Sequence, residues 1–360
     1  MSKAWVLREI GEISLCDVEI PTPAENEVRI RVKSVGICGS DIPRIYETGA
    51  HNMPLVPGHE FSGVVESIGK KVSPSWLGKR VAVFPKIACG KCRECKDELP
   101  DMCQNYDYIG SRRDGAFAEY VTAPANNLIA LPDIVSFEEA AMLEPLAVAA
   151  NAMRMGCFGM NTILTLDKPV AVCGLGTIGL MVVMLLKEAG FKNIYVIGNK
   201  DSQLKRGKAL GIPEKNYCDS RSANVPEWLK ESSKGGIVSF FECVGKNECI
   251  NYGIEAAAPG GWLILVGNPH SDMNFSKDIW WKILRKQMAV YGIWNSLFRQ
   301  EPYEDEKIDD WNYALKRIKE DKIRPAELIS HRFDLCELEK GLHIMRDKTE
   351  DYCKVMINIG

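Results

Sequence analysis

The spacing of hydrophobic residues changes along the chain and separates two kinds of structure. In the first third, apolar and polar residues alternate in runs such as 27–36 (EVRIRVKSVG) and 61–69 (FSGVVESIG), with frequent glycine and proline between them. Such alternation is typical of antiparallel strands that bury one face. We therefore predict a β-rich domain for this part of the chain.

Beyond residue 165, short apolar runs alternate with helical patterns. The runs at 168–173, 193–198, 237–245 and 259–267 indicate buried strands, and an apolar helix pattern (LMVVMLLKEAG) follows the first of them. Strands that alternate with helices predict a parallel, doubly wound sheet.

The C-terminal segment differs again. A charged run from residue 300 (QEPYEDEKIDDW) predicts a solvent-exposed face. Two amphipathic helices are predicted around 311–319 and 336–347, and a final strand at 352–358. We expect this segment to return to the first domain.

Length and charge exclude several classes of protein. A chain of 360 residues favours two domains over one. Its 45 Lys and Arg against 48 Asp and Glu give a net charge of -3, which creates no field that would attract nucleic acid or anionic lipid. The N-terminus is too charged for a signal peptide, and no stretch of about 18 apolar residues could span a bilayer. We therefore expect a cytoplasmic protein acting on small molecules.

The cysteine spacing indicates metal binding. Clustered thiols in a reducing compartment more often hold metal than form disulfides. Four of the 13 cysteines form a CxxCxxCx7C pattern that suits a closed, tetrahedral structural zinc site. An iron–sulfur cluster is the alternative, but the bacterial ferredoxin run ends differently, in a three-residue gap before Cys-Pro. The predicted zinc ligands are Cys89, Cys92, Cys95 and Cys103.

A second group of metal-binding residue types is scattered. Cys38, His59 and Glu144 each stand near a glycine or proline turn signal. Together they supply the three ligands of a catalytic zinc whose fourth position is open. Individually they are equally compatible with ordinary core or helix-end residues. Spacing alone leaves both interpretations open.

A glycine-rich loop predicts dinucleotide binding. Gly174, Gly176 and Gly179 form a GxGxxG motif between a predicted strand and helix, the context in which the motif binds a pyrophosphate at a helix N-terminus. The residues assigned to the cofactor are Gly174, Gly176, Thr177, Ile178, Gly179, Gly198, Asn199, Lys200, Val244, Gly245, Val266 and Gly267.

The end of the second predicted strand bears on the choice of cofactor. An NAD site places an acidic residue there, which bonds the ribose 2′-hydroxyl and repels a 2′-phosphate. This chain has Gly198, Asn199 and Lys200 instead, a pattern that favours NADP. The alternative is a solvated Lys200 beside Asp201, with NAD accepted.

Six motifs occur in an order that points to a known family: VGICGSD, PGHEFSGVV, the four-cysteine segment, DGAFAEY, LEPLAVAANA and CGLGTIG. In these the chain resembles the zinc-dependent medium-chain dehydrogenases/reductases, the group of alcohol, sorbitol and threonine dehydrogenases. The resemblance implies a GroES-like catalytic domain at 1–150 with a C-terminal return at 295–360, and a Rossmann domain at 151–294. It also implies a homodimer or homotetramer.

The resemblance implies roles for individual residues. Cys38, His59 and Glu144 would bind a zinc ion that polarises a secondary alcohol, with Glu60 able to exchange with Glu144. Ser40 would take the proton while hydride passes to the nicotinamide. Many relatives continue the proton path through a histidine where this chain has proline. His51 is then the candidate for the next step.

Within the family, the segments CGSDIPRIYETGAH, YDYIGSRRDG and KILRKQMAVYG resemble those of an enzyme acting on a sugar-alcohol phosphate. Arg44, Arg112 and Arg113 are the candidate phosphate ligands, because the guanidinium fork binds two oxygens at once. The alternatives are a surface turn with an unphosphorylated polyol as substrate, and a non-catalytic dinucleotide-binding protein.

Overall fold

The structure is a computed structural model that describes residues 1–158, 164–269, 271–299 and 309–360. These residues divide into a flanking unit, Met1–Pro145 with Leu297–Gly360, and a central unit, Leu146–Ser296. Most of the charged run predicted from residue 300 falls in 300–308 and lies outside the described residues.

The strands of the described residues are, in chain order, β1 (Ser2–Glu9), β2 (Glu12–Val18), β3 (Glu27–Ile37), β4 (Glu60–Ile68), β5 (Arg80–Val83), β6 (Lys86–Ile87), β7 (Asp107–Tyr108), β8 (Tyr120–Pro124), β9 (Leu128–Ala130), β10 (Val170–Cys173), β11 (Ile194–Gly198), β12 (Tyr217–Asp219), β13 (Ile237–Glu242), β14 (Ala257–Leu265), β15 (Ala289–Gly292), β16 (Ile329–Asp334) and β17 (Lys354–Asn358).

The α-helices of the described residues are α1 (Asp41–Tyr46), α2 (Arg93–Lys96), α3 (Phe137–Ala141), α4 (Leu143–Phe158), α5 (Thr177–Glu188), α6 (Asp201–Ala209), α7 (Val225–Ser233), α8 (Asn247–Ala256), α9 (Lys277–Lys286), α10 (Asp310–Lys319) and α11 (Leu338–Asp347).

The flanking unit is built on a seven-stranded sheet in the order β16-β17-β3-β4-β5-β9, with β8 also paired to β3. Its pairs are antiparallel except β16 with β17. Strand β3 is central because its 11 residues pair with β8 at one end and β17 at the other. The alternating Val28, Ile30 and Val32 are completely buried. The predicted β-rich domain is confirmed.

The C-terminal segment completes this sheet. Val355 of β17 pairs with Ile37 at the end of β3. Near the N-terminus, the indole nitrogen of Trp5 donates a hydrogen bond to the carbonyl of Leu335 at 2.6 Å, across 330 positions of sequence. Residues from both ends of the chain therefore share one core in the flanking unit.

The central unit contains a six-stranded, wholly parallel sheet in the order β12-β11-β10-β13-β14-β15. The chain begins in the middle of this sheet, winds to one edge and then to the other, which is the Rossmann topology. All four residues of β10 are buried, as expected for a strand covered on both faces. The predicted doubly wound sheet is confirmed.

Glycine suits each of the three positions after β10 for a different physical reason. Gly174 has φ +91°, a conformation that L side chains rarely adopt. A Cβ atom at Gly179 would lie 1.9 Å from the carbonyl oxygen of Gly174, so helix α5 packs on the loop only without one. At Gly176 no atom lies within 4 Å of that position, and the backbone borders open space.

This contrast predicts opposite effects of two alanine substitutions. Gly179→Ala should destabilise the central unit by about 1–3 kcal/mol because the methyl group overlaps backbone. Gly176→Ala should leave stability nearly unchanged and weaken dinucleotide binding instead. Urea unfolding and nucleotide titration of both variants provide the comparison, and equal stabilities would contradict this packing argument.

Candidate active site

Three metal-binding side chains meet where β3 ends and β4 begins. Cys38 follows β3, His59 precedes β4, and Glu60 is the first residue of β4. Glu60 pairs in register with Gly36, where a Cβ atom would lie 2.3 Å from Oε2 of Glu60. The thiol sulfur, a ring nitrogen and a carboxylate oxygen of the three lie within 4.8 Å of one another.

This donor set fits zinc. One thiolate, one imidazole and one carboxylate are the ligands of a catalytic zinc with an open position, where the ion acts as a Lewis acid on a substrate oxygen. The Ser40 hydroxyl lies beside the group and donates to Cys38 Sγ at 3.3 Å. The side chain predicted to move the proton is therefore adjacent to the predicted ligands.

Asp41 organises the group, although the sequence analysis assigned it no role. Its fully buried carboxylate accepts from the backbone N–H of Cys38 at 3.0 Å and from Arg44 Nη1 at 2.6 Å. Its Oδ1 also lies 3.6 Å from Nδ1 of His59. That distance is too long for a hydrogen bond, so the Asp41 carboxylate acts on the His59 ring through its charge.

The electrostatics of this group follow from its burial. Burial disfavours a charged imidazole, but the Asp41 carboxylate and the Cys38 thiolate outweigh it and raise the pKa of His59 well above its usual range. Burial likewise disfavours ionised Asp41, yet His59, Arg44 and the Cys38 N–H lower the pKa of Asp41 overall. Asp41 and His59 thus each favour the charged form of the other.

The two candidate glutamates have different partners. Glu60 forms a buried ion pair with Lys354 of β17 at 2.5 Å. Glu144 lies outside the group of three donors, and its Oε1 accepts from the Tyr108 hydroxyl at 3.2 Å. Burial, together with the Glu60 carboxylate, raises the pKa of Glu144 to about 7. The structure therefore groups Glu60 with Cys38 and His59, and Glu144 lies near enough for the charges of His59 and Glu60 to act on its carboxyl group.

The four cysteines of the CxxCxxCx7C segment also converge. Cys92 Sγ lies 3.4 Å from Cys95 Sγ and 3.8 Å from Cys103 Sγ, and the sulfurs of Cys89 and Cys95 are 4.0 Å apart. The edge of a tetrahedron with zinc–sulfur bonds of 2.3 Å is about 3.8 Å. All four thiols are free of disulfides. Their spacing fits one zinc ion without distortion of the loop.

Lys86 and Tyr106, to which the sequence analysis gave no role, lie beside this cluster. The buried Lys86 ammonium donates to the carbonyl of Asp101 and lies 4.5 Å from the ring centroid of Tyr106. The guanidinium of Arg112 lies 4.5 Å from the same ring centroid. Tyr106 contacts Tyr108 edge to face, and Tyr108 contacts His59 in the same way. A chain of ring contacts thus joins Arg112 to the three-donor group.

The structure separates the three predicted phosphate-binding arginines. Arg44 is committed to buried Asp41, and Arg113 pairs with Glu27 at 2.8 Å. Arg112 has no ion pair within the described residues and is half-buried against Tyr106. His51 is exposed, and no hydrogen bond joins it to Ser40.

The predicted cofactor residues of the central unit lie at the carboxyl ends of its strands. Buried Glu242 accepts from the backbone N–H groups of Val244 and Gly245 at 2.8 and 2.9 Å and fixes that turn. A Cβ atom at Gly267 would lie 2.2 Å from the nitrogen of Gly245, so the two turns touch through backbone. The open space beside Gly176 leaves room for a pyrophosphate.

Comparison with known proteins agrees with this arrangement. Residues 24–133 match the alcohol dehydrogenase GroES-like domain, and residues 177–316 match the zinc-binding dehydrogenase domain. The chain is 33% identical to galactitol 1-phosphate 5-dehydrogenase of Escherichia coli K12, over 86% of each chain.

The chain belongs to the zinc-dependent alcohol dehydrogenase family. It is also 30% identical to sorbitol dehydrogenase of Halalkalibacterium halodurans, over 96% of each chain. The assignment by motifs, the predicted fold and the prediction of a dehydrogenase are confirmed.

Solved structures resemble this dehydrogenase over 99% of each chain. Galactitol-1-phosphate dehydrogenase from Escherichia coli superposes with a TM-score of 0.87 at 30% identity. A zinc-binding dehydrogenase from Sinorhizobium meliloti 1021 bound to NADP gives 0.86 at 25%. The rspB dehydrogenase from Escherichia coli CFT073 complexed with NADH gives 0.85 at 28%. The relatives thus include proteins bound to either cofactor.

Within the described part of this dehydrogenase, no helix has the length and apolarity needed to cross a bilayer.

The Asp41 contacts predict an acid-dependent loss of stability. The pKa of Asp41 is depressed in the fold, so its contribution is complete above the unfolded value of about 3.9 and is lost as pH falls through the folded value. Asp41→Asn should destabilise the dehydrogenase by about 3–5 kcal/mol at neutral pH, because it removes one partner of a buried pair. It should also flatten the pH dependence on the acid side.

Denaturant unfolding between pH 3 and pH 7 checks both effects. Asp133→Asn is the matched control, since its carboxylate is fully exposed. A pH profile of Asp41→Asn that parallels the parent profile would count against the role of Asp41.

Proposed function

We propose that this dehydrogenase oxidises a secondary alcohol of a polyol phosphate, such as galactitol 1-phosphate, with NADP as hydride acceptor and two zinc ions per chain. Similarity to galactitol 1-phosphate 5-dehydrogenase supports the substrate class. Similarity to sorbitol dehydrogenase keeps an unphosphorylated polyol as the alternative.

The unpaired guanidinium of Arg112 carries the phosphate assignment. Arg44 and Arg113 are held by Asp41 and Glu27, so neither can turn to a phosphate without leaving a carboxylate alone. Stacking on Tyr106 fixes the plane of Arg112 and leaves its N–H groups available. A preorganised guanidinium suits bidentate binding of a phosphate group.

The residues around the three-donor group have roles in this reaction. Cys38, His59 and Glu60 would hold the zinc ion, with the charge of Asp41 facing the His59 ring. The hydroxyl of Ser40, which is partly exposed beside Cys38, would take the alcohol proton and pass its own proton to water as hydride leaves the carbon for the nicotinamide. Glu144, held by Tyr108, is a second carboxylate available to the same site.

The surroundings of Gly198 support NADP. A side chain there would begin 2.7 Å from the Tyr217 hydroxyl and 2.8 Å from Gln203 Oε1, so an NAD-selecting acid would require these two side chains to move. Lys200 is exposed and has no ion pair within the described residues. Asn199 is exposed beside it. These residues suit a 2′-phosphate better than a ribose hydroxyl.

Two zinc ions with separable roles are expected. Elemental analysis should find two per chain. Cys38→Ser should lose one zinc ion and all turnover but keep the stability of the parent protein. Cys95→Ser should lose the other zinc ion and be less stable than the parent, because it opens a closed site. Cys336→Ser, at an exposed free thiol, is the control. Full activity with one zinc per chain would be incompatible with this assignment.

Arg112→Ala should raise the KM for galactitol 1-phosphate at least tenfold and leave the KM for galactitol nearly unchanged. The expected loss corresponds to about 1.4 kcal/mol or more of binding energy to the phosphate. Steady-state kinetics with both substrates provides the measurement. Arg113→Ala is the matched control and should lower stability without this selective effect, since its guanidinium pairs with Glu27. Equal effects of Arg112→Ala on both substrates would favour a free polyol.

Cofactor choice is tested by comparing kcat/KM for NADP and NAD on one preparation. We expect a preference for NADP because the position of the NAD-selecting acid is glycine and Lys200 stands beside it. A tenfold or larger preference for NAD would overturn this part of the proposal.

A further inference from the structure

A second basic residue lies next to the end of β11 without being close to it in sequence. Arg221 follows β12, which pairs in parallel with β11, and the register places Asp219 beside Gly198. The backbone N–H of Ser220 donates to the carbonyl of Gly198 at 2.9 Å, which ties the Arg221 turn to the end of β11. In a Rossmann domain the adenosine ribose binds at this end of the second strand.

Asp219 poses a problem for an NADP site. Its carboxylate belongs to the strand next to Gly198, so it could repel a 2′-phosphate or bond the ribose hydroxyl of NAD. In the structure Arg221 engages it on both oxygens, with Nε at 2.9 and 3.0 Å and Nη2 at 2.5 Å. The backbone N–H of Arg221 also donates to Asp219 Oδ1 at 2.9 Å. The negative charge of Asp219 is therefore neutralised.

The same guanidinium keeps donors available. Nη2 also contacts Asp201 at 2.6 Å, whereas Nη1 has no partner within the part of the chain that the structure describes. The side chain of Arg221 is 52% exposed, so a ligand can reach it. Lys200 is exposed and forms no ion pair among the residues that the structure describes. The cations Lys200 and Arg221 thus border the predicted ribose position together with the carboxylates of Asp201 and Asp219, and Arg221 is the residue that contacts both carboxylates.

We propose that Arg221 is a cofactor-specificity residue, which neutralises Asp219 and donates from Nη1 to the 2′-phosphate of NADP. The inference rests on the NADP preference proposed above and adds a residue that lies outside the glycine loop and the β11 end. A planar guanidinium suits this double role because its fork can bind a carboxylate on one edge and a phosphate on another.

The test uses ligands that carry no nicotinamide, so it does not depend on turnover. Dissociation constants for adenosine 2′,5′-bisphosphate and for 5′-AMP are measured by calorimetry with the zinc-loaded protein. The parent chain should bind the bisphosphate more tightly. Arg221→Ala should reduce that preference at least tenfold, and Arg221→Gln is a second variant with the same expected result. Arg324→Ala is the control, because Arg324 is a similarly exposed arginine bonded to Asp321 in the flanking unit.

A double variant separates the two roles of Arg221. Asp219→Asn combined with Arg221→Ala should recover at least threefold of the lost bisphosphate affinity, since no unpaired carboxylate is left. A double variant as weak as Arg221→Ala would overturn the role given to Asp219.

The possible failures are distinguishable. If the parent chain shows no preference for the bisphosphate, the NADP assignment itself fails. If the parent prefers the bisphosphate and both Arg221 variants keep that preference within twofold, the inference about Arg221 is wrong while the NADP assignment stands.

Discussion

The buried ion pair between Glu60 and Lys354 is the contact on which the candidate active site depends. Both side chains are almost completely inaccessible, and the Lys354 ammonium also donates to the carbonyl of Ile37 at 3.2 Å. One contact therefore joins the end of β3, the start of β4 and the last strand of the chain. Removing one partner of such a pair costs about 3–5 kcal/mol because a buried charge is left alone.

The metal-binding group is thereby built into the sheet. Cys38 and His59 are immediate neighbours of the residues that Lys354 holds, and Gly36 provides the space that the Glu60 carboxylate occupies. Anionic groups are costly to bury without a partner. Here Lys354 and Arg44 supply the positive charges that offset them. Because Glu60 belongs to both the ion pair and the donor group, a substitution of Glu60 should affect fold stability and metal binding together.

Local patterns were predictable from the sequence, and long-range pairings were not. The glycine loop and the four-cysteine segment are each local in the sequence, so the spacing of their residues is enough to predict what they bind. Lys354 is separated from Glu60 by 294 positions, and only the pairing of β17 with β3 brings them together. Arg44 and Arg113 form ion pairs with Asp41 and Glu27. No spacing rule predicts these two pairs, so the sequence could not show that these arginines are already paired.

We expect each chain to bind one zinc ion between Cys38, His59 and Glu60 and another between the four clustered cysteines. A crystal structure with anomalous data collected on both sides of the zinc edge tests it most directly. We expect two anomalous peaks per chain, one about 2.3 Å from Cys38 Sγ and 2.0–2.1 Å from a His59 ring nitrogen, and one surrounded by four sulfurs. A zinc-replete crystal with no peak between Cys38 and His59 would contradict it.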